Sequence, residues 1–426
     1  MRLRTVLAGG LALVTLLLSA CGGGSGSDGQ AQVRLVNMSV ATSLDVYDGT
    51  SKMISAVSAS AVSDYAGIDG GSYTVYYKAA GSSTSLLSQT RSWSKDTKYT
   101  LLAYERYGAI NAVQITENQS APSSGAAAVN FYNLATDAGA LDVYVTDPSA
   151  SLTGATATAS SITASNPASG YKEIGAGTYR IRVTAAGDKT DVRLDIPSIT
   201  LADQQIATLG LTGTTGGVLV DGVLSTQGGS VAFYRNTNAR VRVVAALTNN
   251  AIVTASTDST SLASALQSTT IGSYVQVAAG TPTVTVTSNG TTISSAAQTL
   301  SAGYDYTLLV YGDSTGTPQS ALLVDDNRIS DTSTSYAKVR LVHAVVGLNS
   351  ALTMLVNSSA KASSVAYGTG SDYASLASTT SATLTVLSPS DSVYSATDVT
   401  FASGATYTLF MLGTAASPRG LLIQDH

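Results

Sequence analysis

The feature that most constrains this chain is a pair of short apolar segments that returns four times along its 426 residues. Val33-Arg34-Leu35-Val36 is followed by Leu44-Asp45-Val46-Tyr47, and Val129-Asn130-Phe131-Tyr132 by Leu141-Asp142-Val143-Tyr144. Val241-Arg242-Val243-Val244 is followed by Ile252-Val253, and Val339-Arg340-Leu341-Val342 by Leu352-Thr353-Met354-Leu355. A unit recurring at roughly the length of a small domain builds tandem modules rather than one large core. A Tyr-x-x-aliphatic segment then follows each pair: Tyr65 to Ile68, Tyr171 to Ile174, Tyr274 to Val277 and Tyr373 to Leu376.

Within the units the apolar period is two. Tyr179, Ile181 and Val183 alternate with Thr178, Arg180, Arg182 and Thr184, the pattern of a half-buried antiparallel strand. In three modules a Gly-containing turn precedes this strand, Asp69-Gly70-Gly71, Gly175-Ala176-Gly177 or Ala279-Gly280, and supplies the backbone angles of a tight hairpin. A later strand opens on Tyr99-Thr100-Leu101-Leu102, Tyr306-Thr307-Leu308-Leu309 and Tyr407-Thr408-Leu409-Phe410, with Ile206 at the equivalent place in the second module. Tyr there predicts the corner of an immunoglobulin-like sandwich, a buried ring whose hydroxyl bonds a backbone group upstream, and Ile206 would lack that bond. With roughly seven short strands per hundred residues, the fold class is all-β: tandem immunoglobulin-like antiparallel β-sandwich modules.

Short Ser, Asn and Asp joints place the modules at 31–122, 123–236, 237–330 and 331–426, after a segment 1–20 and a Gly/Ser stretch 21–30. Such short joints predict a string of beads with limited bending. Ser230-Val231-Ala232-Phe233-Tyr234 adds an apolar segment to module 2, either an extra edge strand or packing into the next joint.

The amino end gives an address. Arg2 and Arg4 precede an apolar run from Val6 to Leu18, too short to span a bilayer comfortably, and Leu18-Ser19-Ala20-Cys21 closes it. This resembles a bacterial lipoprotein signal, with an ordinary secretory signal and a chance Cys as the alternative. The resemblance implies cleavage before Cys21, lipid on its sulfur and acylation of its new amino group, and Gly22 after it favours the outer membrane. Cys21 is the only cysteine, so no disulfide supports any module. The Gly22 to Gly29 stretch reads as a flexible tether. Loss of Arg2 and Arg4 takes the formal net charge of −5 two units lower, which argues against nucleic acid as a partner.

The Ala239-Arg240-Val241-Arg242-Val243-Val244 motif, its echo Ala337-Lys338-Val339-Arg340-Leu341-Val342-His343-Ala344, and the Leu44-Asp45-Val46-Tyr47 and Leu141-Asp142-Val143-Tyr144 segments together resemble the secreted bacterial modules grouped as domain-of-unknown-function family 4397. The resemblance implies fold and location, not an activity. The family's opening strand ends in His, where this chain has Asn37, Asn133, Ala245 and His343, and the family's Pro-rich loop is missing here.

Chemistry-bearing groups are few. His426 ends the sequence and is expected to be frayed, and His343 is expected to be a hydrogen-bonded structural residue. No G-x-S-x-G elbow and no zinc-ligand spacing are present, so no catalytic residue, cofactor or metal site is expected. Asp45, Asp142 and Asp325-Asp326-Asn327 are the carboxylates to test for calcium at a joint, with strand positions and Asx turns as their ordinary explanation.

Tyr is abundant, 22 against four Phe and one Trp. Tyr76, Tyr104 and Tyr107, with Trp93 near them in sequence, are the candidate ligand face, and cross-strand packing is the plainer reading. Two functions follow. The first is a lipid-anchored, non-enzymatic envelope spacer or protein-interaction scaffold, its partners the membrane through Cys21 and other envelope proteins. The second is a module that binds glycan or cell-wall polymer through exposed Tyr and Trp. An exposed, contiguous aromatic patch separates the two.

Overall fold

The computed structural model describes residues 29–106, 108–329 and 335–426. The signal segment, Cys21, most of the tether, Tyr107 and the joint at 330–334 lie outside the described residues.

Eight sheets pair into four sandwiches. In module 1 the opening strand Gln30–Met38 lies between the short strand Ala61–Val62 and the penultimate strand Lys98–Arg106, which pairs with the closing strand Ala109–Thr116. Ala66–Asp69 also pairs with the opening strand, and the second sheet runs Ser51–Val57, Leu44–Asp48, Gly71–Ala79, Ser85–Trp93. Modules 3 and 4 repeat both orders. Their opening strands are Asn238–Leu247 and Tyr336–His343, their penultimate strands Asp305–Gly312 and Thr406–Thr414, and their closing strands Gln319–Asp325 and Ser417–Gln424. Module 2 has one continuous edge strand, Ala168–Gly175, beside its opening strand Ala126–Asn133, and the segment Val231–Tyr234 is an added edge strand on the closing strand Val220–Thr226.

The sheets are antiparallel with one exception per module. Opening and penultimate strands run parallel, so that Arg34 stands beside Thr100, Asn130 beside Thr208, Arg242 beside Thr307 and Arg340 beside Thr408. The tyrosine corners form as expected. Tyr99, Tyr306 and Tyr407 are buried, and each hydroxyl accepts the backbone N–H five residues upstream, from Ser94, Ser301 and Ala402, at 2.9 Å. Ile206 leaves module 2 without that bond.

Alternation fills the cores. Ala31, Val33 and Leu35 point between the sheets of module 1, as Val241, Val243 and Ala245 do in module 3. A buried Leu or Val of this kind contributes roughly 1.5–3 kcal/mol relative to exposure. The same strands are also buried on their other face, which a half-solvated strand would not be.

That second burial corrects the string-of-beads expectation. Val36, Met38 and Leu102 of module 1 pack on Leu134 and Val223 of module 2, with Phe233 and Val231 of the added edge strand beside them. Val244, Ala246, Leu309 and Tyr311 of module 3 pack on Val342, Ala344, Phe410 and Leu412 of module 4. The modules therefore join face to face in pairs, opening sheet on opening sheet. Alternation alone assigned these outward positions to solvent, because it cannot say which second face a neighbour will cover.

Candidate functional site

The opening sheets of modules 1, 3 and 4 each present the same four side chains toward a neighbour. The arginine of the opening strand donates from Nε to the threonine beside it: Arg34 to Thr100 at 2.8 Å, Arg242 to Thr307 at 2.9 Å, Arg340 to Thr408 at 3.1 Å. The threonine hydroxyl donates to an acid at the end of the closing strand, Glu117, Asp325 or Asp425. A tyrosine ring covers the guanidinium: Tyr65 over Arg34 at 4.9 Å, Tyr274 over Arg242 and Tyr373 over Arg340, both at 4.7 Å. The hydroxyls of Tyr65 and Tyr274 donate to Glu117 (2.8 Å) and Asp325 (2.6 Å).

Between modules 3 and 4 these sets are crossed. Arg242 of module 3 pairs with Asp425 of module 4, and Arg340 of module 4 pairs with Asp325 of module 3. All four side chains are buried to within a few per cent. A buried ion carries a desolvation penalty of several kcal/mol unless it is paired and hydrogen-bonded, and here each one is.

The cluster extends into module 2. Arg240 grips Asp305 with two 2.8 Å bonds and reaches Asp191 with a third, while Arg193 holds Asp191 through Nε and Nη2 at 2.8 and 2.6 Å. Asn327 donates to Asp305 (3.0 Å) and to the Tyr274 hydroxyl (2.8 Å). Four arginines thus face four aspartates where three modules meet, beside a cleft of about 710 Å³ lined in part by Asp191, Arg240, Arg242, Tyr274 and Asp425.

The electrostatics follow. Burial alone would raise Asp325, but Arg340 and Arg242 outweigh it and hold the carboxyl below its ordinary range. At Asp191 burial is likewise outweighed, by Arg193 and Arg240. Burial lifts Asp425 despite Arg242. It pushes Tyr274 well up, with Asp325 adding to the effect. None of this leaves a free base or nucleophile, because every charged group in the cluster is committed to another.

The carboxylates weighed for calcium are met by protein donors. Asp45 accepts Ala56 N–H (2.8 Å), Gly81 N–H (3.1 Å) and Lys52 Nζ (2.7 Å), and Asp142 accepts Ser161 N–H (2.7 Å) and Gly187 N–H (2.9 Å). Ala56 and Ser161 have positive φ, so these carboxylates latch a bulged edge strand to the adjoining hairpin. Asp326 pairs with Arg328 and Lys338. Among the described residues no group of three or more His, Cys, Asp or Glu could hold a metal ion.

His343 is buried and bonded within its own loop, as expected. His426 is not frayed: its carbonyl accepts Thr406 N–H (3.0 Å) and its Nε2 lies 3.1 Å from Ala138 O of module 2. Burial, then Arg193 and Arg240, push its pKa down to about 3.

Of the residues named as a ligand face, Tyr107 lies outside the described residues, and Tyr76, Trp93 and Tyr104 do not come together. Trp93 lies in the core of module 1 at 3% exposure, edge-on to Tyr99, because its strand turns that position inward. Tyr104 packs at the module 1–2 contact, and Tyr76 is half-buried on the opposite sheet, beside Tyr47. Tyr336 is the exposed aromatic among the described residues.

Comparison with known proteins agrees on the module. The family described as "Domain of unknown function (DUF4397)" matches residues 31–144, 239–347 and 337–426, leaving most of module 2 unmatched. The solved structure of the Bacillus anthracis TIE protein is 10% identical, covered over 88% of this chain and 68% of that one, with a TM-score of 0.14. Surface layer protein SbsC, domains 4-9, is 13% identical, covered over 86% and 48%, with a TM-score of 0.11. No curated protein matches the chain. Among the described residues no helix is long and apolar enough to cross a membrane, which says nothing of a β-barrel.

Proposed function

Since the chain belongs to the DUF4397 family, a domain of unknown function, we propose that it is a non-enzymatic scaffold of the bacterial cell envelope, held to the outer membrane by lipid on Cys21. The observation that carries the reading is the fate of the reactive side chains. Arg193, Arg240, Arg242 and Arg340 are spent against Asp191, Asp305, Asp325 and Asp425, and the Arg240–Asp191, Arg242–Asp425 and Arg340–Asp325 pairs fix one module against the next. On this reading the crossed, buried set fixes register and orientation, since one arrangement of the two modules pairs all four charges. What such a set yields is a body of fixed geometry, which suits a platform or spacer that keeps partners at a set distance. Glycan or polymer binding through Tyr and Trp lacks support from the described aromatics, because Trp93 and Tyr104 are packed inside the body and Tyr76 stands apart from them.

Two experiments test this. Metabolic labelling with a palmitate analogue is expected to mark the chain and to fail in Cys21→Ala, and equal labelling of both would remove the anchor from the proposal. A glycan array with the mature protein is expected to return no selective binder, and tight saturable binding would replace the scaffold reading.

A further inference from the structure

Modules 1 and 2 meet through the same faces as modules 3 and 4, yet their polar set is half built. Module 1 carries all four members, Arg34, Thr100, Glu117 and Tyr65. In module 2 Asn130 stands where the arginine would be, in register with Thr208, and Gln227 follows the closing strand in place of the acid. Neither carries charge. Arg34 therefore pairs with Glu117 of its own module at 3.2 Å and reaches module 2 only through the carbonyls of Thr226 (2.8 Å) and Gly229 and the hydroxyl of Ser225 (3.1 Å). Where a second guanidinium would complete the set there is a cavity of about 10 Å³ lined by Thr100, Glu117, Tyr171, Thr208, Ser225 and Gln227. The apolar contact is thinner too, five fully buried side chains against eight between modules 3 and 4.

We propose that the module 1–2 contact is the releasable joint of this molecule: module 1 swings away as a unit while modules 2, 3 and 4 stay together. Opening it leaves the Arg34–Glu117 pair intact inside module 1: Arg34 and Glu117 give up only neutral groups of module 2, and Arg235 of module 2 gives up Ser39 O and Ser60 Oγ but keeps Asp221. Opening modules 3 and 4 instead breaks both crossed pairs at once. Module 2 is also tied to the far pair, through Asp191 to Arg240, Asp137 O to Ile329 N–H at 2.8 Å, and Thr214 Oγ1 to Gly303 O at 2.9 Å. The inference does not depend on the membrane anchor.

Fluorescent dye pairs on exposed positions test it, in the mature chain carrying Cys21→Ala. One pair at Ser88→Cys and Thr200→Cys spans modules 1 and 2, and the other at Ser295→Cys and Ser395→Cys spans modules 3 and 4. In a urea titration the 88/200 distance is expected to widen before strand content is lost, at a midpoint lower than the 295/395 pair by on the order of 0.5 M. Asn130→Arg with Gln227→Asp completes the crossed set and is expected to raise the 88/200 midpoint. Should that variant not fold, Arg242→Asn with Asp325→Gln makes the module 3–4 set half built and is expected to lower the 295/395 midpoint toward the other. Coincident widening of both pairs, or earlier widening of 295/395, overturns the proposal.

Discussion

Asn37 and His343 stand at the same place on two opening strands and share two connections made with different chemistry, while Asn37 makes a third. Asn37 donates from Nδ2 to Thr42 O and Val57 O, both at 2.8 Å, and accepts Ser39 N–H at 3.0 Å. His343 accepts Val345 N–H on Nδ1 and reaches Ser350 O from Nε2, both at 3.3 Å, which assigns the proton to Nε2. Asn133 repeats the arrangement in module 2, donating to Gly139 O and Ile162 O and accepting Ala135 N–H. Each turns the end of a strand into its loop.

His343→Asn is therefore expected to cost less than about 1 kcal/mol, whereas His343→Ala, which strands a buried N–H, is expected to cost about 1–3 kcal/mol. Urea midpoints of the two variants check the difference, and equal losses would show that the hydrogen bonds are not what the position supplies.

Acid sensitivity has a definite sign. His343 is held below its ordinary 6.5 by burial, partly offset by the backbone carbonyls it meets, and His426 is pushed down to about 3. Below pH 6.5 the unfolded chain takes up protons that the folded chain refuses. The contribution is complete above 6.5 and is lost as pH falls toward 3. His343→Asn with His426→Gln is expected to flatten stability against pH between 6 and 4, measured by urea midpoints across that range.

Removing one half of a crossed pair should hurt more than removing both. Arg340→Met leaves Asp325 buried with Arg242 at 3.7 Å as its nearest cation and is expected to cost about 3–5 kcal/mol. Arg340→Met with Asp325→Leu is expected to recover a large part of that loss. A double-mutant cycle by calorimetry reads the coupling, and additive losses would mean that the pair is not coupled.

The tyrosine corners predict an unequal response. Tyr99→Phe, Tyr306→Phe and Tyr407→Phe each lose one bond to a backbone N–H and are expected to cost about 0.5–1.5 kcal/mol. Ile206→Phe removes no such bond, so its effect reflects packing alone. Chemical denaturation of the four variants separates the two contributions.

At Asp45, burial works against the charge, but Lys52 and the N–H groups of Gly81 and Ala56 outweigh it and hold the carboxyl below 3.8. That stabilisation is present above pH 3.8 and disappears as pH falls through the lowered value. Asp45→Ala is expected to release the bulge at Ala56, seen as faster amide exchange across Ser51–Val57 at neutral pH.

Strands, corners and loops were legible because they rest on local pattern: a period of two, Tyr before Thr-Leu-Leu, Gly at hairpins. Ile206 even marked the module that departs from the rest. The cluster was spelled out as well, since Arg242, Tyr274, Thr307 and Asp325 each sat in a recurring motif. Their meeting was not legible, because it depends on which sheet covers which and on partners as far as 183 residues apart. An arginine repeated mid-strand among Val and Leu, with an acid repeated at the end of the last strand, was the available signal. Trp93, named beside the candidate face for its nearness in sequence, follows the plainer reading of cross-strand packing, since its strand turns it into the core.

The parallel seam between opening and penultimate strands has a consequence for the order of folding. Arg34 waits for Thr100, Arg242 for Thr307 and Arg340 for Thr408, gaps of 66, 65 and 68 residues. No sandwich can close until nearly all of it has been made, so each repeat stays loose as the chain grows and the repeats then set in steps. The lock between modules 3 and 4 waits longest, since Arg242 meets Asp425 only once the closing strand of module 4 is in place.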